Sequence, residues 1–218
     1  SVTGVQTCAL PILKLAVFDF DSTLMDGETI DFLAKPLGLE EKVASITKKA
    51  MAGELDFFES LIERVSLLKG LEYKQAVEIC QDLPLMPGAL ETISELKKQG
   101  YKVVCFSGGF RIGTSPAKDK LGIDADFSNI LHEKDGILTG LVGGDMMFGF
   151  SKGDMIQRVQ AMLGVSIEDT LVAGDGANDV SMFPYAAKRV AFCANDILKK
   201  EANIIIDKKD LTLILEHI

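Results

Sequence analysis

Two aspartates one residue apart, Asp19 and Asp21, stand where an apolar stretch turns polar: Val17-Phe18-Asp19-Phe20-Asp21-Ser22-Thr23-Leu24. Val17, Phe18 and Phe20 favour a strand. In an extended chain, residues i and i+2 point the same way. Both carboxylates are therefore expected at one spot at a strand's C-terminal end, where open α/β sheets bind ligands. Neighbouring carboxylates repel, and a cation or a shared proton relieves them. A magnesium ion would do so, with one carboxylate as nucleophile and the other as proton carrier.

Three further motifs carry groups suited to phosphoryl transfer. Ser107-Gly108-Gly109 follows an expected strand at 101–106. Its backbone N–H groups and hydroxyl can approach a phosphate at a helix N-terminus. Lys152 opens an expected helix and supplies a point charge against phosphate and the nucleophilic carboxylate. Gly174-Asp175-Gly176-Ala177-Asn178-Asp179 follows an expected strand at 170–173. There Asp175 offers a further carboxylate for a hard cation, and Asp179 can orient metal-bound water. Taken singly, each motif has an innocent alternative: a solvated strand end, a turn, a surface charge, a helix cap. Four in this order, all at strand C-terminal ends, point to positioning and charge neutralisation around one phosphoryl group.

The elements needed to hold them follow from periodicity. The first strand is expected at 15–20. Helical spacing then runs through 31–37, 40–52, 56–68 and 73–82, broken at Gly38, Gly53 and Gly70 and ended by Pro84 and Pro87. From Pro87, strands and helices alternate: helix 89–99, strand 101–106, a helix to Leu121, a hairpin in 130–142 about Lys134-Asp135-Gly136, helix 152–163, strand 170–173, helix 178–187, strands 189–192 and 203–206, and helix 211–217. Pro116 suggests a helix starting there with Ser115 as its cap, or else a kink. The fold class is α/β: a doubly wound, mostly parallel sheet with a small helical bundle inserted after the first strand. The core is expected from residues 13–26 and 85–218, the helical cap from 27–84.

Composition narrows the function. With 218 residues, 47% of them hydrophobic, the chain can bury one sizeable core, or a core and a small lobe. A net charge of -9 argues against a nucleic-acid surface or a polybasic membrane patch. His132 and His217 are the only histidines, too few for a histidine-rich zinc site or a Ser-His-Asp triad. Cys8, Cys80, Cys105 and Cys193 form no C-x-x-C pair and are expected as buried free thiols of a cytoplasmic protein. No apolar run reaches the roughly 20 residues of a membrane helix. Residues 1–12 lack a basic n-region and make a poor signal peptide. They look like a translated sequencing adapter fused upstream, expected as a disordered or loosely docked tail.

From residue 14 to 218 the motifs resemble the haloacid-dehalogenase-like superfamily of aspartate-nucleophile phosphatases. The resemblance implies a Rossmann-like core with a helical-bundle cap. It implies Asp19 as nucleophile and Asp21 as general acid and base. Mg2+ would be held by the Asp19 and Asp175 carboxylates and the Asp21 backbone carbonyl, with Asp179 behind them. Ser107, Gly108, Gly109, Lys152 and Asn178 would bind the phosphoryl group. The insert is similar to that of the members acting on phosphoserine: Glu28 and Arg64 match the positions that hold the amino and carboxylate ends, Met51 and Phe57 the apolar lid contacts. Arg64-Val65-Ser66-Leu67-Leu68 is typical of those members. The implied activity is hydrolysis of O-phosphoserine to serine and phosphate in serine biosynthesis, by a monomer or homodimer with a small-molecule substrate. Two alternatives stand beside it: another small-molecule phosphatase, or a phosphotransferase from phosphoserine to homoserine, of the same fold; and a receiver-like signalling module, in which Asp21, the Gly-Asp-Gly loop and the helical insert would have no task.

Overall fold

Lys14–Asp19 forms β1, and its alternation sets the layers. Leu15 and Val17 point into one apolar cluster, with Val104, Phe106, Val172 and Ala191. Ala16 and Phe18 point into another, with Val103, Cys105, Leu171, Ala173, Val190 and Phe192. A strand apolar on both sides belongs at the centre of a covered parallel sheet. The computed structural model describes residues 13–51, without the Met51 side chain, and 54–218; the expected tail at 1–12 lies outside them. The other strands are β2 (Tyr101–Phe110), β3 (Ala125–Lys134), β4 (Ile137–Gly143), β5 (Thr170–Gly174), β6 (Lys188–Phe192) and β7 (Ile204–Ile206). Their order is β4-β3-β2-β1-β5-β6-β7. Every neighbouring pair is parallel except β3 and β4, which form the hairpin turned at Asp135 and Gly136. The sheet and its flanking helices form the expected α/β architecture.

Between β1 and β2 lie α1 (Thr29–Ala34), α2 (Glu40–Met51), α3 (Phe57–Ser66), α4 (Tyr73–Gln81) and α5 (Ala89–Lys98). The first four make the insert. The segments leading into and out of it pair at Met25 and Leu85. Asp26 N–H donates to Pro84 O at 2.9 Å and Met86 N–H to Leu24 O at 2.9 Å. The insert also leans on the hairpin, where Leu138 exchanges backbone bonds with Gly70 and Leu71. The remaining helices are α6 (Arg111–Leu121), α7 (Ser151–Leu163) and α8 (Asp196–Glu201), with 3-10 segments at Ala177–Tyr185 and Leu211–His217. Among the described residues, no helix is long and apolar enough to cross a membrane. Cys80 and Cys105 are buried free thiols and Cys193 is a half-buried one; Cys8 lies outside the described residues.

Several expectations need correcting. The strand expected to end at Phe106 runs on to Phe110, so Ser107-Gly108-Gly109 does not follow β2 but forms a bulge inside it, where the pairing with β3 shifts between Phe106 and Phe110. Two of the last helical stretches are 3-10 rather than α, and the short charged α8 was not expected. Helix α6 starts at Arg111 and carries Pro116 in its interior, so Ser115 is not its cap. A proline there removes one helical donor and crowds a preceding carbonyl. Tertiary contacts offset this: Thr114 Oγ1 bonds to Asp126 Oδ2 at 2.7 Å and to Ser128 Oγ at 2.9 Å on β3.

Helix α7 is pressed onto the 3-10 segment at its first turn. A Cβ on Gly153 would fall 2.4 Å from the Ser181 carbonyl oxygen. Gly153→Ala should push α7 away and carry its neighbour Lys152 off station. Thermal unfolding should show a lower Tm, and assays of the activity that the resemblance implies should show a loss of more than about tenfold; an unchanged rate would show that this contact does not position the lysine.

Candidate active site

Leu15, Val17 and Asp19 share the face of β1 that α7 covers, so Asp19 meets the N-terminus of that helix. Lys152, its second residue, places Nζ 2.6 Å from Asp19 Oδ1 and 2.6 Å from Asp179 Oδ1. Asp19, Lys152 and Asp179 are all buried. Asp19 Oδ1 also accepts the Phe20 N–H at 2.7 Å. Asp179 Oδ2 accepts the N–H groups of Asp175 at 3.0 Å and Gly176 at 2.9 Å, which folds the loop after β5 around it. Only glycine fits at 174, because a Cβ there would lie 2.3 Å from the Asp179 carboxylate.

Carboxylate oxygens of Asp19, Asp175 and Asp179 lie within 4.8 Å of one another. One ammonium against three carboxylates leaves two negative charges in a buried volume. Burial and the nearby Asp179 raise the Asp19 pKa to about 7 despite Lys152. Burial, Asp19 and Asp179 raise Asp175 well above the usual carboxylate range. Burial alone would lower the Lys152 pKa, but Asp179 and Asp19 outweigh it and hold the ammonium charged. An all-oxygen set with two uncompensated charges suits a hard divalent cation. Asp179 already engages the lysine and two backbone donors, so Asp19 and Asp175 are the oxygens left for an ion.

Asp21 departs from its expected direction. β1 ends at Asp19, so Asp21 lies in the turn beyond the strand, and its carboxylate meets the insert. Its Oδ1 accepts the N–H and the Oγ1–H of Thr29 at 2.7 and 2.6 Å. Its Oδ2 accepts the Ser107 hydroxyl at 3.2 Å. Thr29 opens α1, and the sequence pattern alone did not mark it. The only available signal was a hydroxyl at a helix start, which is common.

The bulge in β2 supplies the next wall. Gly109 N–H donates to Ser107 Oγ at 2.8 Å. A Cβ on Gly109 would lie 2.5 Å from Asp21 Oδ2, and one on Gly108 would lie 2.5 Å from the Phe57 ring. Phe57 thus covers the glycines from α3. Asn178 sits half-buried on the loop after β5, its Oδ1 2.5 Å from where a Gly176 Cβ would be.

Helix α3 starts with a capping box between Asp56 and Glu59. Phe57 and Arg64, seven residues apart, share one face of it. Arg64 Nε donates to Ser60 O at 3.3 Å. Among the described residues Arg64 has no carboxylate within ion-pair distance, although its charge is felt at Glu28. Glu28 accepts the Ser22 hydroxyl at 2.9 Å, and burial with the nearby Asp21 pushes its pKa up to about 8. Met51's side chain lies outside the described residues.

Residues 13–186 match the haloacid dehalogenase-like hydrolase family. The chain belongs to that family. A phosphoserine phosphatase of Wolinella succinogenes is 64% identical over 206 residues, 94% of this chain and all of that protein (100%). One of Methanocaldococcus jannaschii is 48% identical over 205 residues, 94% of this chain and 97% of that protein. A solved phosphoserine phosphatase carrying a phospho-aspartyl intermediate analogue superposes with a TM-score of 0.91 at 48% identity, covering 95% of this chain and 99% of that one. A substrate-bound phosphoserine phosphatase complex gives 0.90 at 48% identity, covering 94% and 98%. With relatives of this kind, the hydrolase is a phosphoric monoester hydrolase.

The charge imbalance predicts how the hydrolase responds to pH without metal. The Asp19 pKa lies above its ordinary 3.8, so folding disfavours the ionised form and stability falls as pH rises from about 4 through 7. Metal-free protein should unfold at a lower temperature at pH 8 than at pH 6, and a divalent cation should remove most of the difference. Lys152→Met should cost about 3–5 kcal/mol in the absence of metal, because it strands buried carboxylates. Calorimetric scans check both.

Proposed function

We propose that this hydrolase is a magnesium-dependent phosphoserine phosphatase that converts O-phosphoserine to serine and inorganic phosphate in serine biosynthesis. The observation that carries the choice of substrate is the pair Glu28 and Arg64. Glu28 is a half-buried acid whose carboxylate is costly without a cation, and it lies within electrostatic reach of Arg64, which has no described ion-pair partner. An ammonium would neutralise the first, and a carboxylate would engage the second bidentately. Both lie in the segment between β1 and β2, Glu28 just before α1 and Arg64 on α3, the helix whose Phe57 also covers the phosphate loop. A phosphorylated amino acid presents those three groups together.

Asp19 attacks phosphorus and becomes an aspartyl-phosphate, while the P–O bond to serine breaks. Asp21, held by Thr29 and Ser107, gives the departing serine oxygen a proton. It then takes one from the water that cleaves the aspartyl-phosphate, which restores the Asp19 carboxylate and the protonated Asp21 with which the cycle began. Ser107, the Gly108 and Gly109 backbone, Lys152 and Asn178 hold the phosphoryl oxygens. Asp19 and Asp175, with the Asp21 backbone carbonyl, would hold magnesium, Asp179 orienting its water, and the ion would shield nucleophile and phosphate from each other. Residues 27–84 act as the cap, with Phe57 and Met51 closing over substrate and excluding water, on a core of 13–26 and 85–218. The free thiols of Cys80 and Cys105 favour a cytoplasmic setting.

Phosphate release from a panel of phosphorylated amino acids and sugars, with magnesium and with chelator, should single out phosphoserine and require the metal. Adding homoserine as acceptor should not divert the phosphate. Asp19→Asn should trap no acid-stable phosphoenzyme; recovery of an acyl-phosphate from that variant would reject Asp19 as nucleophile. Arg64→Ala should lower kcat/KM for phosphoserine on the order of 100-fold and that for p-nitrophenyl phosphate by less than about threefold. Equal losses on both esters would remove the case for phosphoserine.

A further inference from the structure

Asn129 is fully buried on β3, opposite the bulge in β2. Phe106 pairs with Phe127 and Phe110 with Asn129, so Ser107, Gly108 and Gly109 stand against Ser128 alone. A bulge of that size breaks the backbone ladder and leaves peptide groups without strand partners. Asn129 supplies them from its side chain. Its Nδ2 donates to Gly108 O at 3.0 Å and to Met146 O at 3.0 Å. Its Oδ1 accepts the Met146 N–H at 3.0 Å. Three bonds from one amide join the phosphate loop to the segment leading into α7 and Lys152. The approach is close enough that a Cβ on Gly144 would lie 2.7 Å from Asn129 Oδ1.

The bond to Gly108 has a consequence on the far side of the peptide. A trans peptide is planar, and its C=O and N–H point in opposite directions. Fixing the Gly108 carbonyl therefore fixes the Gly109 N–H. That N–H donates to Ser107 Oγ at 2.8 Å, whose hydroxyl donates to Asp21 Oδ2 at 3.2 Å. The donors run in one direction, from the Asn129 amide through the peptide and the serine to the carboxylate, and such chains polarise one another. We propose that Asn129 is a positioning residue for the reaction: it fixes the Gly108–Gly109 peptide in the phosphate loop and, through that peptide's bond to Ser107, sets the orientation of Ser107 and Asp21. The role rests on the proposed chemistry of Asp19 and Asp21 but not on the choice of phosphoserine, because the serine part of the substrate meets other residues.

Asn129→Asp tests it. The variant keeps the shape and the acceptor for Met146 but loses both donors and sets a carboxylate against two carbonyls. Thr114→Val is the comparator: it removes a buried side-chain network between α6 and β3 that has no bond to the glycines. With magnesium present, calorimetry should show inorganic phosphate binding at least about tenfold weaker in Asn129→Asp. Its kcat/KM should fall about 10–100-fold, equally for phosphoserine and p-nitrophenyl phosphate. Thr114→Val should lower Tm while phosphate affinity stays within about twofold of the unaltered protein. Unchanged phosphate affinity in Asn129→Asp, or an equal loss in Thr114→Val, overturns the proposal. If phosphoserine proves not to be the substrate, the inorganic phosphate and aryl phosphate comparisons still decide on Asn129. Should Asn129→Asp fail to fold, the unaltered protein decides the matter: on titration with inorganic phosphate and magnesium, the Asn129 side-chain amide resonances should shift together with the Gly109 amide. A Gly109 shift with the Asn129 amide unmoved would contradict the coupling.

Discussion

Three carboxylates gathered around one buried ammonium set the terms for the rest of this molecule. Taking such charges out of water costs several kcal/mol for each ion, and attraction to a single lysine does not balance it. The raised pKa values of Asp19 and Asp175 express that deficit. The fold is arranged to hold it in place. The central strand delivers Asp19, α7 delivers Lys152, and the loop after β5 wraps Asp179 with two backbone donors. Gly174 and Gly153 are points where backbone must come close for these elements to meet. A cluster of this kind adds little to stability by itself; it is a place prepared for a cation and an anionic ester.

The second carboxylate of the motif has a separate environment, and that separation suits two roles. Asp19 sits in the charged cluster beneath the sheet edge. Asp21 faces a hydroxyl and a backbone N–H at the start of α1. The first strand and the insert thus meet at one side chain, so movement of the insert is felt directly at Asp21. Helix α3 adds Phe57 over the glycines and Arg64 two turns further along the same face. The same insert therefore carries the groups that close the site and the groups that would distinguish one phosphate ester from another.

Much of this was legible in the sequence, for identifiable reasons. The nearly continuous apolar run at 15–20 and helical spacing at 31–82 are strong signals, and both match the observed elements to within a few residues. Asp19, Lys152, Asp175 and Asp179 stand at strand ends and helix starts, where topology alone brings them together. What was missed depends on contacts between distant segments. Glycines at 108 and 109 signal a break in regularity but do not tell a turn from a bulge. The first half of β3 is interrupted by Asp126, Ser128 and Asn129, polar residues that are in fact buried or half-buried by α6 and by the bulge. Pro116 reads as a helix start because propensity is local, whereas Thr114 and its partners on β3 hold the helix through it. Asp21 lies in the turn beyond β1, and its bonds to Thr29 at the start of α1 are contacts that no periodicity announces.

The claim on which the account turns is that the Asp19, Asp175 and Asp179 cluster needs one divalent cation. Isothermal titration of magnesium into the metal-free protein near neutral pH tests it directly, with Asp175→Asn alongside. The account predicts a single site, release of protons on binding because Asp19 titrates near 7, and loss of that site in the variant. No magnesium binding, or binding that survives unchanged in Asp175→Asn, would contradict it.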